Sequence, residues 1–453
     1  MASASTSHLP LLGHRHGEPV ALWRGRPVSR ERFLAHVERL TGELPERRFA
    51  VNLCQDRYPF LVALSAAMIR GQTTLLPHAR VPRLIAEVCD GYPGAYALTE
   101  RAVEGLELVE HLVRIPEDVD LATRTGVPRV PADLLAAVLF TSGSSGRPRP
   151  SAKRWGDLVA GARLVARRFA LARRPGGSIV ATVPPRHMFG LEVSVALPLV
   201  CGITVHAATP LFPESVRRTL EAAPEPRRLF TTPTHLRACV EVDLRWPALD
   251  LVVSSSAPLA AGLAARSEAA LAAPVHEIYG CTEAGAIATR RTVEGPRWRL
   301  CDGLALTVQD ETALVSGLHL PEPVPLGDRV EIHRGGEFEL DGRRSDLVKV
   351  AGNRALLSDL NLKLNEVDGV EDGVFVMPEG AGDGASQRPV ALVVAPNLEK
   401  RDIVAALSTS LHPAFLPRSL YKVARLPRDD VGKLPREDLL ALVASLSGPG
   451  DPG

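Results

Sequence analysis

The chain is predicted to be an α/β protein with a large multi-sheet N-terminal domain built in α/β layers, followed by a smaller part of different texture. Three observations lead there. From about residue 48 to residue 288, short apolar runs alternate with turns and helical segments, the arrangement that sets parallel strands between covering helices. After residue 330 the texture changes to brief β-like pieces around two helical segments. The length of 453 residues also exceeds one ordinary domain, so more than one unit is expected. The boundary is placed at 342–346.

Taken in order, residues 49–54 read as a strand, 58–70 as a helix and 73–76 as a strand. The run 133–139, Asp-Leu-Leu-Ala-Ala-Val-Leu, reads as a buried strand. Further strands are expected at 178–183, 203–207, 229–231 and 249–253, with Ala-rich helices at 215–223 and 259–272. Ligands of such sheets sit beyond the carboxyl ends of the strands. The segments 140–149, 254–258 and 279–283 all follow strand-like runs, so one cleft can collect them. Beyond 330 the β-like pieces are 330–333, 337–340, 347–350, 374–377 and 390–394, and the helices are 401–411 and 436–445. Residues 380–387 read as an exposed hairpin loop. The Gly/Pro-rich end, 447–453, reads as a disordered tail.

Composition narrows the function classes. With 45% hydrophobic and 23% charged residues the chain is globular, and a net charge of +1 gives no electrostatic case for nucleic acid or an anionic membrane. Cys54, Cys89, Cys201, Cys239, Cys281 and Cys301 include no C-x-x-C pair, which argues against a disulfide framework and a zinc site and fits a reducing compartment. The first twenty residues carry His and Arg where a signal peptide needs an apolar core. The most apolar stretch, 193–205, is too short to span a bilayer and contains Pro198 and Gly202. The expected location is the cytoplasm. Among 53 basic residues only six are lysines, Lys153, Lys349, Lys363, Lys400, Lys422 and Lys433. Codon bias explains an arginine excess, but a retained lysine also marks places where a compact point charge is wanted. The count directs attention to Lys349 and Lys433.

The most informative stretch is Phe140-Thr141-Ser142-Gly143-Ser144-Ser145-Gly146-Arg147-Pro148-Arg149. A strand that ends in hydroxyls and glycines brings backbone N–H groups and Ser/Thr oxygens close to a polyphosphate, and glycine permits the close approach. It is not a Walker loop, since no Gly-Lys-Ser/Thr follows. Taken alone, a flexible Ser/Gly turn accounts for it equally well. Four further segments follow in order. Tyr279-Gly280-Cys281-Thr282-Glu283 sets a hydroxyl and a carboxylate after a strand, with Thr282 a donor to phosphate and Glu283 a ligand for ATP-bound Mg2+, which takes one or two carboxylates. Leu326-Gly327-Asp328 supplies a carboxylate for ribose hydroxyls. The other two are the run 341–352 and the run 427–436 around Lys433.

This order and spacing resembles the adenylate-forming superfamily of acyl- and aryl-CoA synthetases, nonribosomal-peptide adenylation domains and luciferases, over roughly residues 49–440. The resemblance implies an AMP-binding N-terminal domain, 1–342, and a small mobile α+β C-terminal lid, 343–453. It implies two reactions: a carboxylate attacks the α-phosphate of Mg-ATP to give acyl-AMP and pyrophosphate, then a thiol takes the acyl group. By resemblance, Thr141, Ser142, Gly143, Ser144, Ser145 and Gly146 match the phosphate loop, and Arg149 stands where the family usually has Lys. Thr282 and Glu283 match the phosphate and magnesium residues, Asp328 and Arg343 the ribose contacts, and Tyr279 joins the nucleotide-binding set. Lys433 matches the lysine that bridges the carboxylate and the α-phosphate during adenylation. The family's hinge position falls on Ser345, with Asp346 next to it, and either can serve as pivot. Lys349 keeps a family position, and Gly352 is placed in the loop facing the thiol tunnel. Downstream, Asp359-Leu360-Asn361 replaces the family's Glu-Ile-Glu.

For the acid pocket, the 184–190 segment resembles the family's stretch beside the acid, which makes His187 a wall or gate residue, or an ordinary turn histidine. Ser255, Ser256 and Ala257 stand where relatives have a Gly-rich run, and such small residues leave space for a flat substrate. Gly280 is counted with the pocket, and Cys281 either touches the acid or adenine or is a packed thiol. No Asp announces an amino-acid ammonium. The expected substrate is a hydroxybenzoate- or cinnamate-like aryl acid, as in compact relatives of pigment pathways of the aryl-polyene type. The expected acceptor is the phosphopantetheine thiol of CoA or of an acyl carrier protein. A medium-chain fatty acid, an adenylation-only enzyme and a degenerate nucleotide-binding relative are the alternatives. Arg401, Arg418, Lys422 and Arg425 face an acidic carrier or the CoA nucleotide, or are a solvated face.

Overall fold

The apolar runs become the centres of two sheets. In this computed structural model, residues 7–106, 108, 110–116, 126–142, 148–317, 319–343, 347–350, 353–378, 389–417, 419–429 and 432–447 are described. The first sheet has six strands in the order Pro148–Arg154, Leu135–Ser142, Thr73–Leu76, Phe49–Asn52, Tyr96–Thr99 and Glu110–Leu112. All its neighbours are parallel except the first pair, which is an antiparallel hairpin. The second sheet has eleven strands. Its parallel centre runs from Val275–Cys281 through Leu251–Ser254, Arg227–Thr231, Ser178–Ala181 and Thr204–His206 to Pro19–Trp23. Antiparallel strands extend it, with Gly285–Arg290, Trp298–Leu300, Glu337–Arg343 and Asp328–Ile332 on one side and Arg26–Ser29 on the other.

These central strands are apolar runs because both faces are covered: Ile179, Val180, Val252 and Val253 are all fully buried. The helix Arg57–Ile69 is buried from Arg57 to Met68, as a helix packed between layers must be. Its first residue does the joining. The fully buried Arg57 guanidinium donates to the carbonyls of Ala181 (3.1 Å), Val183 (2.9 Å), His206 (2.8 Å) and Ala208 (2.7 Å) and to Ser194 Oγ (3.0 Å). A planar fork with five donors suits such a junction, which an ammonium would satisfy less completely. It holds the strand ends of the second sheet against the first.

From Leu347 onward the chain builds separate cores. Val348, Leu360, Phe375, Val393, Ile403 and Leu420 form one buried cluster and Val374, Leu392, Leu426, Leu439 and Val443 another, and neither takes a residue from before 348. Here Asp372–Val376 pairs antiparallel with Val390–Val394, which pairs parallel with Leu420–Lys422. The helices are Leu357–Asn365, Lys400–Ser408 and Arg436–Leu446. This is the α+β texture expected from the sequence. The loop 380–387 and the tail residues 448–453 lie outside the described residues.

One expectation is corrected. The stretch 140–149 was read as a loop after a strand, but the Leu135–Ser142 strand runs on through Thr141 and Ser142, and Pro148 and Arg149 open the next strand. Thr141 pairs across the strands with Arg149 and Ser142 with Pro148, so the two strands are antiparallel neighbours, and residues 143–147 lie outside the described residues. Pairing with the neighbouring strand outweighs the low strand propensity of Pro148-Arg149-Pro150.

Candidate active site

The hairpin's return strand supports the turn that carries Thr282 and Glu283. Side chains two apart share one face of a strand, and here Arg149, Ser151 and Lys153 form such a row, uninterrupted because the register shift falls after Lys153. Ser151 Oγ donates to the Thr282 carbonyl at 3.4 Å, and Lys153 Nζ donates to the Glu283 carbonyl at 2.5 Å. Arg149, exposed, is the next member of the same row. Glu283 is also exposed, at the turn between Val275–Cys281 and Gly285–Arg290. Among the described residues no group of three or more His, Cys, Asp or Glu could hold a metal by itself. One carboxylate on an anchored turn nonetheless fits Mg2+, which keeps its waters and takes its remaining oxygens from phosphates.

Gly280 sits at a register shift between Tyr279 and Gly280, and a Cβ there would lie 2.2 Å from the Gly285 carbonyl oxygen. Only glycine lets the two arms of the hairpin approach so closely. Cys281 is half-buried, and burial pushes its thiol up to about 11, which makes it a packing residue and not a nucleophile. Ser255 is buried and its Oγ donates to the Ile278 carbonyl at 2.8 Å, so it acts as a strut between adjacent strand ends. Ser256 adopts φ +77°, the left-handed region that favours glycine, and Ala257 beside it is half-buried. Behind them Glu277, 2% exposed, accepts from the Leu259 N–H (2.8 Å), Arg290 Nε (2.6 Å) and Thr292 Oγ1 (2.5 Å). That network fixes the 254–260 segment against the strand bearing Tyr279.

The ribose candidates meet as well. Asp328 and Arg343 are cross-strand partners, and Tyr279 Oη donates to Asp328 Oδ2 at 2.6 Å. Tyr279 is positioned for this by ring contacts with Trp298 (5.6 Å) and Phe338 (6.1 Å).

His187 caps the short helix Met188–Leu191. Its buried Nε2 has no hydrogen-bond partner among the described residues. Burial, with Arg186, Lys433 and His78 adding positive charge, holds the imidazole down at about 3, so it is neutral at physiological pH. Lys433 reaches this neighbourhood from the C-terminal part. Its N–H donates to Asp429 Oδ1 and its carbonyl accepts from the Asp429 N–H, both at 2.8 Å. Arg428 clamps this hairpin. Nε and Nη2 bind the Asp372 carboxylate at 2.7 and 2.6 Å, and Nη1 donates to the Gly432 carbonyl. Gly432 lies against Thr234, whose Oγ1 would be 3.0 Å from a Cβ. Thr234 follows the Arg227–Thr231 strand, so the Lys433 hairpin docks at the strand ends, beside His187.

Lys349 lies apart, on the ribbon Leu347–Val350 with Asn353–Leu356. Gly143, Ser144, Ser145, Gly146, Ser345, Asp346 and Gly352 lie outside the described residues, as do the side chains of Ser142, Arg343 and Lys349. Two residues escaped the sequence reading. Lys153 is 6% exposed and Glu192 4% exposed, and each acts on the charge of the other. The scarcity of lysine was a signal for the first. Nothing in the sequence pointed to the second.

Together these features define a two-sheet α/β architecture in which the Thr282–Glu283 turn, the Tyr279–Asp328 pair and the Lys433 segment are placed at strand ends. The chain belongs to the AMP-binding enzyme family, whose profile matches residues 66–321, more than half of the chain. A 4-coumarate--CoA ligase of Rhodobacter capsulatus is 32% identical over 246 residues, 53% of this chain and 62% of that protein. The match thus spans less than two thirds of that relative's length. A 4-coumarate--CoA ligase of Halorhodospira halophila is 29% identical over 313 residues, 65% of this chain and 73% of that protein. The fold is shared with ATP-bound MatB from Rhodopseudomonas palustris (TM-score 0.79, 17% identity, 95% of this chain and 97% of that one). It is shared too with o-succinylbenzoate CoA synthetase from Bacillus subtilis in complex with its acyl-adenylate (TM-score 0.78, 16% identity, 96% and 98%). No helix among the described residues is long and apolar enough to cross a membrane.

Proposed function

We propose that this chain is an ATP-dependent acid–thiol ligase acting on an aryl acid. The observation that carries the reading is the docking of the Lys433 hairpin beside His187 and Thr234, at the carboxyl ends of the parallel strands. In the first reaction a carboxylate oxygen of the acid bonds to the α-phosphorus of ATP while the bond to pyrophosphate breaks. Two anions must meet, and Lys433 opposes their repulsion in a site from which the C-terminal unit excludes water. Thr282 and the segment 141–146 hold the phosphates, Arg149 adds a cation, and Asp328 and Arg343 grip the ribose. Glu283 would hold Mg2+, which neutralises phosphate charge when bound. In the second reaction the phosphopantetheine thiol of CoA or of a carrier protein bonds to the acyl carbon and AMP leaves. Lys349, Gly352 and the hinge at Ser345 or Asp346 are assigned to that stage.

The aryl acid rests on two supports. The curated relatives at 32% and 29% identity are named for 4-coumarate. The unpartnered Nε2 of a neutral, half-buried His187 suits a substrate hydroxyl at the pocket wall. ATP–pyrophosphate exchange over a panel of hydroxybenzoates, cinnamates and straight-chain acids tests the reading. Exchange with 4-hydroxycinnamate or a hydroxybenzoate is expected, and exchange with octanoate alone would end the aromatic assignment. Lys433→Ala is expected to lose exchange by on the order of 10²–10³ while still transferring a preformed acyl-adenylate to a thiol. Equal loss of both half-reactions would remove Lys433 from its role.

A further inference from the structure

We propose that Lys153 and Glu192 are a buried positioning pair that holds the Thr282–Glu283 turn in its nucleotide-binding form. The inference rests on the assignment of that turn to phosphate and Mg2+. Lys153 reaches from the hairpin's return strand, and its ammonium donates to the Glu283 carbonyl at 2.5 Å. Ser151, two residues earlier on the same face, donates to the Thr282 carbonyl. The turn is therefore gripped through its backbone carbonyls.

Glu192 opens a five-residue π-helical segment, Glu192–Ala196, a geometry that recurs at functional sites. Its carboxylate accepts the Ala286 N–H at 3.3 Å, just beyond the turn. The chamber for it is made by two glycines. A Cβ at Gly161 would come within 2.8 Å of Glu192 Oε1, and one at Gly285 within 2.9 Å. Two elements thus give up side-chain volume around one carboxylate, the helix Trp155–Arg168 and the strand Gly285–Arg290. Burial pushes the Glu192 carboxyl up to about 7 and lowers the Lys153 ammonium, and each group partly offsets the other's shift. A buried charge is often no more stabilising than an apolar side chain of the same volume. Here it supplies what apolar residues lack, a directed donor to one carbonyl of the turn.

The test is MgATP binding by calorimetry, with AMP as the comparison ligand, on wild-type protein, Lys153→Met and Glu192→Gln. AMP keeps one phosphate and lacks the β- and γ-phosphates and the Mg2+ that Glu283 would hold. Lys153→Met is expected to weaken MgATP about 10–100-fold, the usual cost of losing a partner that orients a metal-site residue, and to weaken AMP distinctly less. Glu192→Gln is expected to show a smaller loss for MgATP only, and the double variant is expected to lose less than the sum of the two. Wild-type affinity of both single variants for MgATP would overturn the pair, and so would equal weakening of MgATP and AMP. If Lys153→Met does not fold, the same comparison on Glu192→Gln decides. Wild-type protein that binds MgATP but exchanges pyrophosphate with no acid would sink the ligase reading and leave this inference standing.

Discussion

At the residue scale, Tyr279 shows how one side chain links two motifs. Its hydroxyl donates to Asp328 over 2.6 Å while its ring is held by Trp298 and Phe338. A hydrogen bond to a carboxylate contributes about 1.5–3 kcal/mol, and here it fixes the rotamer that would face the ribose. Tyr279→Phe keeps the ring packing and removes that bond. The expected result is a rise of about tenfold or more in KM for ATP, with a smaller effect on 2′-deoxy-ATP, measured by pyrophosphate exchange. An equal effect on both nucleotides would detach Asp328 from the ribose. Asp328, Arg343, Glu283 and Lys433 are candidates in the sequence because their segments resemble, in order and spacing, those of the adenylate-forming superfamily. Lys153 and Glu192 were hidden. One stands in a charged run, Lys153-Arg154, that resembles a solvated surface, and the other borders the apolar stretch 193–205. The burial of Glu192 follows from the space left at Gly161 and Gly285, both distant from it in sequence.

At the element scale, the Val275–Cys281 and Gly285–Arg290 hairpin is a packing problem solved by Gly280. A methyl group there would meet the Gly285 carbonyl at 2.2 Å, a backbone atom that cannot swing aside. Gly280→Ala is expected to destabilise the protein by about 1–3 kcal/mol, read as a lower urea midpoint, and to abolish exchange by displacing Thr282 and Glu283. Gly262 is the control. In the helix Ala261–Leu271 its added Cβ would meet only the end of Arg266, at 3.8 Å, so Gly262→Ala is expected to be neutral or to stabilise by up to ~1 kcal/mol. Equal losses in the two variants would mean the hairpin is not under this constraint. Elements with apolar strands were legible in the sequence: the expected helix 58–70 is Arg57–Ile69, and the expected strands 347–350 and 390–394 are found with those bounds. The Pro148–Arg154 strand was not legible, because Pro-Arg-Pro-Ser-Ala-Lys-Arg has neither apolar alternation nor strand propensity and is recruited by its partner. Edge strands such as Arg26–Ser29 are short for the same reason: one neighbour suffices to hold them.

For the whole molecule, folding determines how many protons the chain holds. Burial depresses His14, His36 and His206 to about 4 and His187 to about 3, whereas an unfolded histidine titrates near 6.5. Each keeps its full contribution to stability above pH 6.5 and loses it as pH falls through the folded value, because the unfolded chain takes up the proton first. Glu192 runs the other way. Its folded value is raised to about 7 from 4.5, so its contribution is present below pH 4.5 and is lost as pH rises through 7. Near pH 5 the four histidines bind about four protons on unfolding and Glu192 releases about one, an expected net uptake of about three or more. The slope is therefore positive, with stability falling from pH 6.5 toward pH 4 by about 1.4 kcal/mol per unit for each net proton. Urea unfolding across that range, with proton uptake measured in buffers of different ionisation enthalpy, checks the sign and the count. Glu192→Gln is expected to raise the uptake at pH 5 by about one proton and to leave the histidine slope in place. A flat profile from pH 6.5 to 4 would mean that those imidazoles are already charged in the folded chain. A neutral His187 beside Lys433 would then be lost, and with it the pocket wall that suits an aryl hydroxyl.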